Sequence, residues 1–383
     1  MQAKKKLFLL LPFCFLSFAY AQPSLPKTDS LIGNIKSVRE KLIFLNDTIQ
    51  NVKLFYTEGE YGHHGFTSRE FTLGRFEKWW YTMPWTHYTN YYREYDKNQN
   101  ITLETWYYKD DSFLEEYRFK YDKNNNLIER QEYWDKDTLS EITRFSYDYQ
   151  NLKTSMIRFY PDDNEYYQYE NYENDNKLLV KHSQFNQEGY QITFKYKYNK
   201  SKKKLSEDTY SPFSYKPIKD GKSFSKTRDS IDNLLHKTIF LYDDLGNLIQ
   251  KENYSSDNVR NEYKLKKGVR PIFEYDSLNR LYKTIFLNSE DNVISEHIYE
   301  YFNETNLPRK ESDYSFLFPE TNSKTEYFYD IEHNLIKLVA TNKKGINIAE
   351  FQYKFDENGN WYEQLKTVNG MPLYLRKREI VYY

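Results

Sequence analysis

The sequence predicts an all-β protein: an array of about ten antiparallel β-hairpin repeats forming a long twisted or curled sheet, with an N-terminal cap. Three observations carry this. Aromatic and charged residues alternate, turn-forming residues follow, and the combination returns at a nearly constant interval. Tyr117, Phe119 and Tyr121 alternate with Glu116, Arg118 and Lys120, the period of two expected of a strand with one aromatic and one charged face. Asp122 can accept a hydrogen bond from a backbone N–H two residues on, and Asn124, Asn125 and Asn126 tolerate left-handed dihedrals, so the chain turns there and Leu127 opens the next strand.

The same unit recurs at Tyr95-Asp96, Tyr121-Asp122, Tyr147-Asp148, Tyr172-Glu173, Tyr198-Asn199, Tyr242-Asp243, Tyr275-Asp276, Tyr301-Phe302, Tyr329-Asp330 and Phe355-Asp356. Successive anchors lie 26, 26, 25, 26, 44, 33, 26, 28 and 26 residues apart. Repeats of roughly 20 to 50 residues mark arrays in which each unit packs on its neighbours. Two strands of about eight residues and two turns fill one such interval, so each unit is predicted to be a hairpin.

The pattern Tyr-Asp-x-x-Gly-Asn/Arg-Leu, best matched by Tyr242 to Leu248, Tyr275 to Leu281 and Phe355 to Trp361, resembles the YD repeat of RHS-type proteins over roughly residues 91 to 383. Gly246 and Gly359 keep the glycine, where Gln99, Asn125, Asn279, Thr305 or His333 stand elsewhere. The resemblance implies a long antiparallel sheet that spirals, in large relatives into a hollow shell around a toxic cargo. This chain is short and shows no segment recognisable as a core-associated region or a C-terminal toxin domain.

In chain order, residues 1–21 read as a secretory signal peptide: Lys4, Lys5 and Lys6, the apolar run Leu7 to Phe18, and Ala19-Tyr20-Ala21 before Gln22. Cys14, the one cysteine, lies inside that run, so the mature chain is expected to have no disulfide and no thiolate chemistry. Residues 22–90 are expected to form a β-rich cap over the open end of the sheet. Within them, Leu31 to Asn46 fits a helix face through Leu31, Ile35, Val38 and Leu42, but Gly33 and the run Leu42 to Leu45 favour a strand. Repeats fill 91–210. Residues 211–230, with Pro212, Pro217 and Gly221, read as a protruding loop or hinge, and 231–383 hold the second half of the array. Arg376, Lys377 and Arg378 on the last strand are expected to discourage edge-to-edge pairing.

Composition narrows the function classes. Tyr 40 and Phe 26 against Gly 12 and Pro 11 favour strands, and a mean hydropathy of −0.93 requires a core built largely from tyrosine and phenylalanine. Without the three signal-peptide lysines, 52 basic residues stand against 56 acidic, a net charge of −4 that points to neither nucleic acid nor an anionic membrane. No second apolar stretch suits a transmembrane helix. The Lys- and Glu-rich non-aromatic faces argue against a membrane-spanning barrel.

No enzymatic activity, cofactor or metal site is expected. His63 and His64 read as loop histidines, and His182, His236, His297 and His333 share no offset within the repeats. The anchor aspartates, Asp96, Asp122, Asp148, Asp243, Asp276, Asp330 and Asp356, cap their own turns on this reading. The aromatic stripes, such as Phe145 and Tyr147, Phe194, Tyr196 and Tyr198, or Phe351, Tyr353 and Phe355, are expected to stack into the core. Trp79, Trp80, Trp85, Trp106 and Trp134 are the candidate ligand platform, suited to stacking sugar rings or an extended peptide. The expected function is a secreted, periplasmic or cell-surface repeat protein that binds carbohydrate or protein. The alternative, implied by the resemblance, is a module that wraps another polypeptide.

Overall fold

Each predicted anchor leads into a hairpin turn in the computed structural model, which describes residues 31–45, 90–108, 110–161, 165–217, 224–257 and 262–383. The strands are β1 (Ile35–Phe44), β2 (Asn90–Tyr95), β3 (Ile101–Tyr107), β4 (Phe113–Tyr121), β5 (Leu127–Tyr133), β6 (Leu139–Tyr147), β7 (Lys153–Tyr160) and β8 (Glu165–Asp175). They continue as β9 (Leu178–Asn186), β10 (Gly189–Tyr198), β11 (Lys204–Pro217), β12 (Phe224–Tyr242), β13 (Leu248–Asp257), β14 (Glu262–Lys267), β15 (Arg270–Tyr275) and β16 (Leu281–Leu287). The last are β17 (Val293–Tyr301), β18 (Pro308–Ser315), β19 (Ser323–Tyr329), β20 (Leu335–Asn342), β21 (Gly345–Phe355), β22 (Trp361–Val368) and β23 (Met371–Tyr382).

The anchor chemistry explains the repeat. In the first unit Asp96 accepts the backbone N–H groups of Asn98 and Asn100 at 2.8 and 2.9 Å and the Asn100 side chain at 3.0 Å. Asp122 does the same with Asn124 and Asn126. The position of the consensus glycine adopts a positive φ whatever its side chain: Gln99 (66°), Asn125 (63°), Asn279 (63°) and His333 (68°), with Gly246 at 84° and Gly359 at 83°. Thr305 departs from this, because that turn is longer and its positive φ falls on Asn303.

The anchor tyrosine joins one repeat to the one before. Its hydroxyl donates to the carbonyl that opens the preceding hairpin's second strand: Tyr121 to Ile101, Tyr147 to Leu127, Tyr242 to Lys204, Tyr275 to Leu248 and Tyr329 to Pro308, at 2.8–2.9 Å. Where the pattern breaks, a neighbour substitutes. Phe355 has no hydroxyl, and Tyr353 bonds Leu335 O at 2.9 Å instead; after Tyr172, Asn174 reaches Lys153 O at 3.0 Å. The partner register shifts at these anchors, as at Lys120/Tyr121 and Ser146/Tyr147, and such bulges bend a strand and strengthen its twist.

The sheet is closed, not an open or merely curled ribbon. β1 pairs antiparallel with β2 (Glu40↔Tyr91) and also with β23 (Glu40↔Arg378), so it fills the gap between the first and last repeats. β14 and β15 together serve as the partner of β13, broken at Gly268 and Val269, which accounts for the long step before Tyr275 and leaves a ring of 22 strands. The strand reading of Leu31 to Asn46 therefore agrees with β1, but its role is to close the ring. Residues 46–89 of the expected cap lie outside the described residues.

Two further expectations change. Within the interval 211–230, expected as a protruding loop or hinge, the described residues are paired: β11 and β12 keep pairing out to Pro217↔Phe224 and project from the rim opposite the Tyr-Asp turns, while 218–223 lie outside the described residues. The basic residues of β23 do not block pairing either, because only Lys377 points outward, while Arg376 and Arg378 point inward and hold β1.

Candidate functional site

The ring has one chemically distinctive surface, its inner wall, and strand alternation decides what lies on it. Val38, Glu40 and Leu42 of β1 are each at most 1% exposed and mark the inner parity. The register carries that parity to Tyr91, Arg93 and Tyr95 on β2, Glu104 and Trp106 on β3, and Glu115, Tyr117 and Phe119 on β4. It continues to Arg130 and Glu132 on β5, Glu141, Thr143 and Phe145 on β6, and Met156 and Arg158 on β7. The aromatic face is thus not purely aromatic as predicted: carboxylates and guanidiniums share it. The outer wall carries solvent-exposed ion pairs, such as Lys120–Glu129 at 2.7 Å and Arg144–Glu129 at 2.8 Å, with Lys120 59% and Arg144 56% exposed.

Near the seam the inner wall is a packed core. Leu42, Tyr327, Leu335, Leu338, Ala349, Phe351, Val368, Leu373 and Tyr374 form one cluster, and Ile35, Val38, Tyr91, Tyr95 and Trp106 another. Between them Glu40 accepts Arg376 Nη2 at 2.6 Å, Arg378 Nε at 2.8 Å and the Tyr91 hydroxyl at 2.9 Å. The Arg378 guanidinium lies 3.5 Å over the Trp361 ring. Burial opposes the charge on Glu40, but the two guanidiniums outweigh it and hold its carboxyl well below the usual carboxylate range. Lys366 on β22 is fully buried, and burial pushes its ammonium well below the ordinary lysine value.

Away from the seam the inner aromatics Phe145, Tyr172, Phe194, Tyr196 and Tyr299 are half-buried, so the predicted stacked core exists only in part. The inner wall carries a polar lattice in which tryptophan N–H and tyrosine O–H groups donate to glutamates. Trp106 donates to Glu104 at 2.6 Å, Tyr117 to Glu115 at 2.8 Å and Trp134 to Glu132 at 2.9 Å, while Tyr167 donates to Glu141 and Tyr172 to Glu170. Arg130 and Arg158 both reach Glu141. His182 lies 3.0 Å from Glu170 and stacks on Tyr172, their ring centroids 4.5 Å apart. Burial, with the negative charges of Glu132 and Glu104, pushes the Glu115 carboxyl up to about 7.

Trp106 is buried in the seam core, Trp134 is 63% exposed at the rim opposite the Tyr-Asp turns, and Trp79, Trp80 and Trp85 lie outside the described residues, as do His63 and His64. Among the described residues no group of His, Asp and Glu is arranged to hold a metal ion. The anchor aspartates cap their own turns, as Asp96 and Asp122 do, and Asp356 accepts in addition the Tyr382 hydroxyl of β23. Sequence reasoning passed over the inner glutamates and arginines, although the signal was present: Glu115 lies two residues before Tyr117, and Arg93 between Tyr91 and Tyr95, on the same parity.

Fold and inner wall together define a closed antiparallel ring with an aromatic and charged interior. No family model and no curated protein matches the sequence. Among solved structures, the toxin complex TcdB2-TccC3-TEV is 10% identical over 74% of this chain, which spans 16% of that chain, with a TM-score of 0.31. TcdB2-TccC3 without its hypervariable C-terminal region aligns with a TM-score of 0.28 at 10% identity over 75% of this chain and 19% of its own. A porin-like protein from Bacteroides uniformis is 7% identical over 92% of this chain and 99% of its own, with a TM-score of 0.26. Scores this low establish no common fold.

Proposed function

We propose that the protein is a non-enzymatic secreted or envelope barrel that holds a polypeptide against its inner wall, the wrapping role implied by the resemblance to RHS-type repeats. One observation carries this reading: β1 closes the ring so that the half-buried aromatic and charged wall faces inward, while ion pairs such as Lys120–Glu129 and Arg144–Glu129 stand on the outside. Tyrosines with bonded hydroxyls and fixed glutamates and arginines offer an extended chain both stacking surfaces and hydrogen-bond partners. A wall with Arg144 turned outward in the middle of β6 is unsuited to lipid contact there, which favours a water-surrounded barrel over a membrane-spanning one.

A second reading, carbohydrate or protein binding by an aromatic surface, is favoured by Trp134, exposed at the rim. The two separate in one experiment: purify the protein from the cell envelope under native conditions, treat it with protease, and identify retained polypeptides by mass spectrometry. The holding role predicts a protease-protected polypeptide released only by denaturant. An empty ring, together with glycan binding abolished by Trp134→Ala, would replace it with the second reading.

A further inference from the structure

The rim opposite the Tyr-Asp turns carries an arc of exposed apolar side chains. The β18–β19 loop presents Phe316, Leu317 and Phe318 in succession, 55%, 60% and 60% exposed. The next two hairpin tips in ring order add Ile346 and Met371, and Leu45 follows at the end of β1, all exposed. Three consecutive large apolar residues at a loop tip are costly to leave in water unless something covers them.

The tip's backbone is tied by hydrogen bonds within the loop and to β17. Phe316 N donates to Ile294 O at 2.9 Å, Phe318 N to Ser315 Oγ at 3.0 Å, and Thr321 N to Phe318 O at 2.9 Å, while Ser315 N donates to Asn322 Oδ1 at 2.7 Å. Such a tip can leave water without stranding many polar groups, as entry into a lipid headgroup layer requires. The neighbouring tips are braced to each other: Ile348 N donates to Asn369 Oδ1 and Asn369 N to Ile348 O, both at 2.8 Å. The tips from the β18–β19 loop round to the end of β1 are consecutive in ring order and several strands away from the β11–β12 hairpin that projects from the same rim, so they form one continuous arc. The middle tip also displays Lys343 and Lys344, both exposed, as a positive counterpart to anionic headgroups.

We propose that this arc is a docking edge for an anionic lipid surface, with Phe316, Leu317 and Phe318 entering the headgroup region and Lys343 and Lys344 contacting phosphates. The ring thereby stands on the membrane by its rim without crossing it. This does not depend on what the ring holds.

The test places an environment-sensitive fluorophore on a single thiol in the full chain, in a Cys14→Ser background. It is attached at Leu317→Cys in one protein and in the other at Tyr149→Cys, on the Tyr-Asp rim and 91% exposed in the native residue. With vesicles of phosphatidylethanolamine and phosphatidylglycerol, the probe at 317 should brighten and shift to the blue while the probe at 149 stays unchanged. Lys343→Glu with Lys344→Glu should weaken that response by at least about tenfold in lipid concentration. An unresponsive probe at 317, equal responses at both positions, or a shift at 317 that follows protein concentration without lipid would each overturn the proposal, the last in favour of self-association.

Discussion

Glu115 stands on the inner wall of β4, with Glu104 and Glu132 on the strands to either side. An ordinary carboxyl ionises near 4.5, whereas this one holds its proton to about 7 through burial and its two acidic neighbours. A raised acid pKa in the fold means that unfolding releases a proton between those values. Glu115 therefore lowers stability progressively as pH rises from about 4.5 to about 7, by a constant amount above that range and by nothing below it. Glu115→Gln, which can still accept the Tyr117 hydroxyl, should stabilise the protein at about pH 8 by on the order of 3 kcal/mol at most and leave it unchanged near pH 4. Thermal unfolding across that range checks this, and a pH-independent difference would refute it. The lysine run 202–204 shows how context decides a residue's role at this scale. Lys202 is exposed in the turn, Lys203 sends its ammonium to Gly246 O, and Lys204 lies over the Tyr196 ring.

At the scale of the element, the Tyr-Asp hairpin is a local solution to three demands: a positive φ, a capped turn and a link to the previous repeat. Gly359 has a φ of 83°, and a Cβ there would meet nothing closer than Ile32 Cδ1 at 3.8 Å. Any cost of a side chain at that position is therefore a backbone cost. Gly359→Ala should destabilise by about 1 kcal/mol, and Gly359→Asn by clearly less, since asparagine tolerates this region and Asn125 already occupies it in an equivalent turn. Urea denaturation midpoints of the two variants decide the matter; equal losses would mean that the turn is governed by something other than φ. This element was legible because its determinants sit within seven residues of one another. The inner parity of Glu115 and Arg130 was harder to see, since strand alternation places charges on the aromatic face as readily as opposite it once the strand extends beyond the anchor.

At the scale of the whole molecule, closure rests on β1. Glu40 binds two guanidiniums from β23 and one hydroxyl from β2, so it ties together the two ends of the array. Removing it leaves Arg376 and Arg378 as buried charges without their carboxylate. Glu40→Ala should cost about 3–5 kcal/mol and expose β2 or β23 as a sheet edge prone to association. Arg144→Ala, which breaks an outward pair, should cost under about 1 kcal/mol. Guanidinium unfolding with light scattering compares them, and similar losses for the two variants would show that the seam is not the keystone of closure. The same long-range pairing explains why Arg376 and Arg378 read as edge protection in the sequence. Lone basic residues on a terminal strand commonly serve that purpose, and nothing local reveals a glutamate 336 and 338 residues away.

The sequence by itself determined the repeating unit: the strand alternation, the aspartate-capped turn, the positive-φ position and the near-constant period all follow from residues close together in the chain. It also made β1 recognisable as a strand. Tertiary structure alone decided that the array closes, that β11 and β12 stay paired as far as Pro217 and Phe224, that Trp106 is buried while Trp134 is exposed, and that glutamates and arginines share the inner wall with the tyrosines. The physical reason is one of range. Turn chemistry and alternation are short-range preferences encoded at each position, whereas closure depends on accumulated twist and bulges over 22 strands and on one buried ion cluster joining opposite ends of the chain.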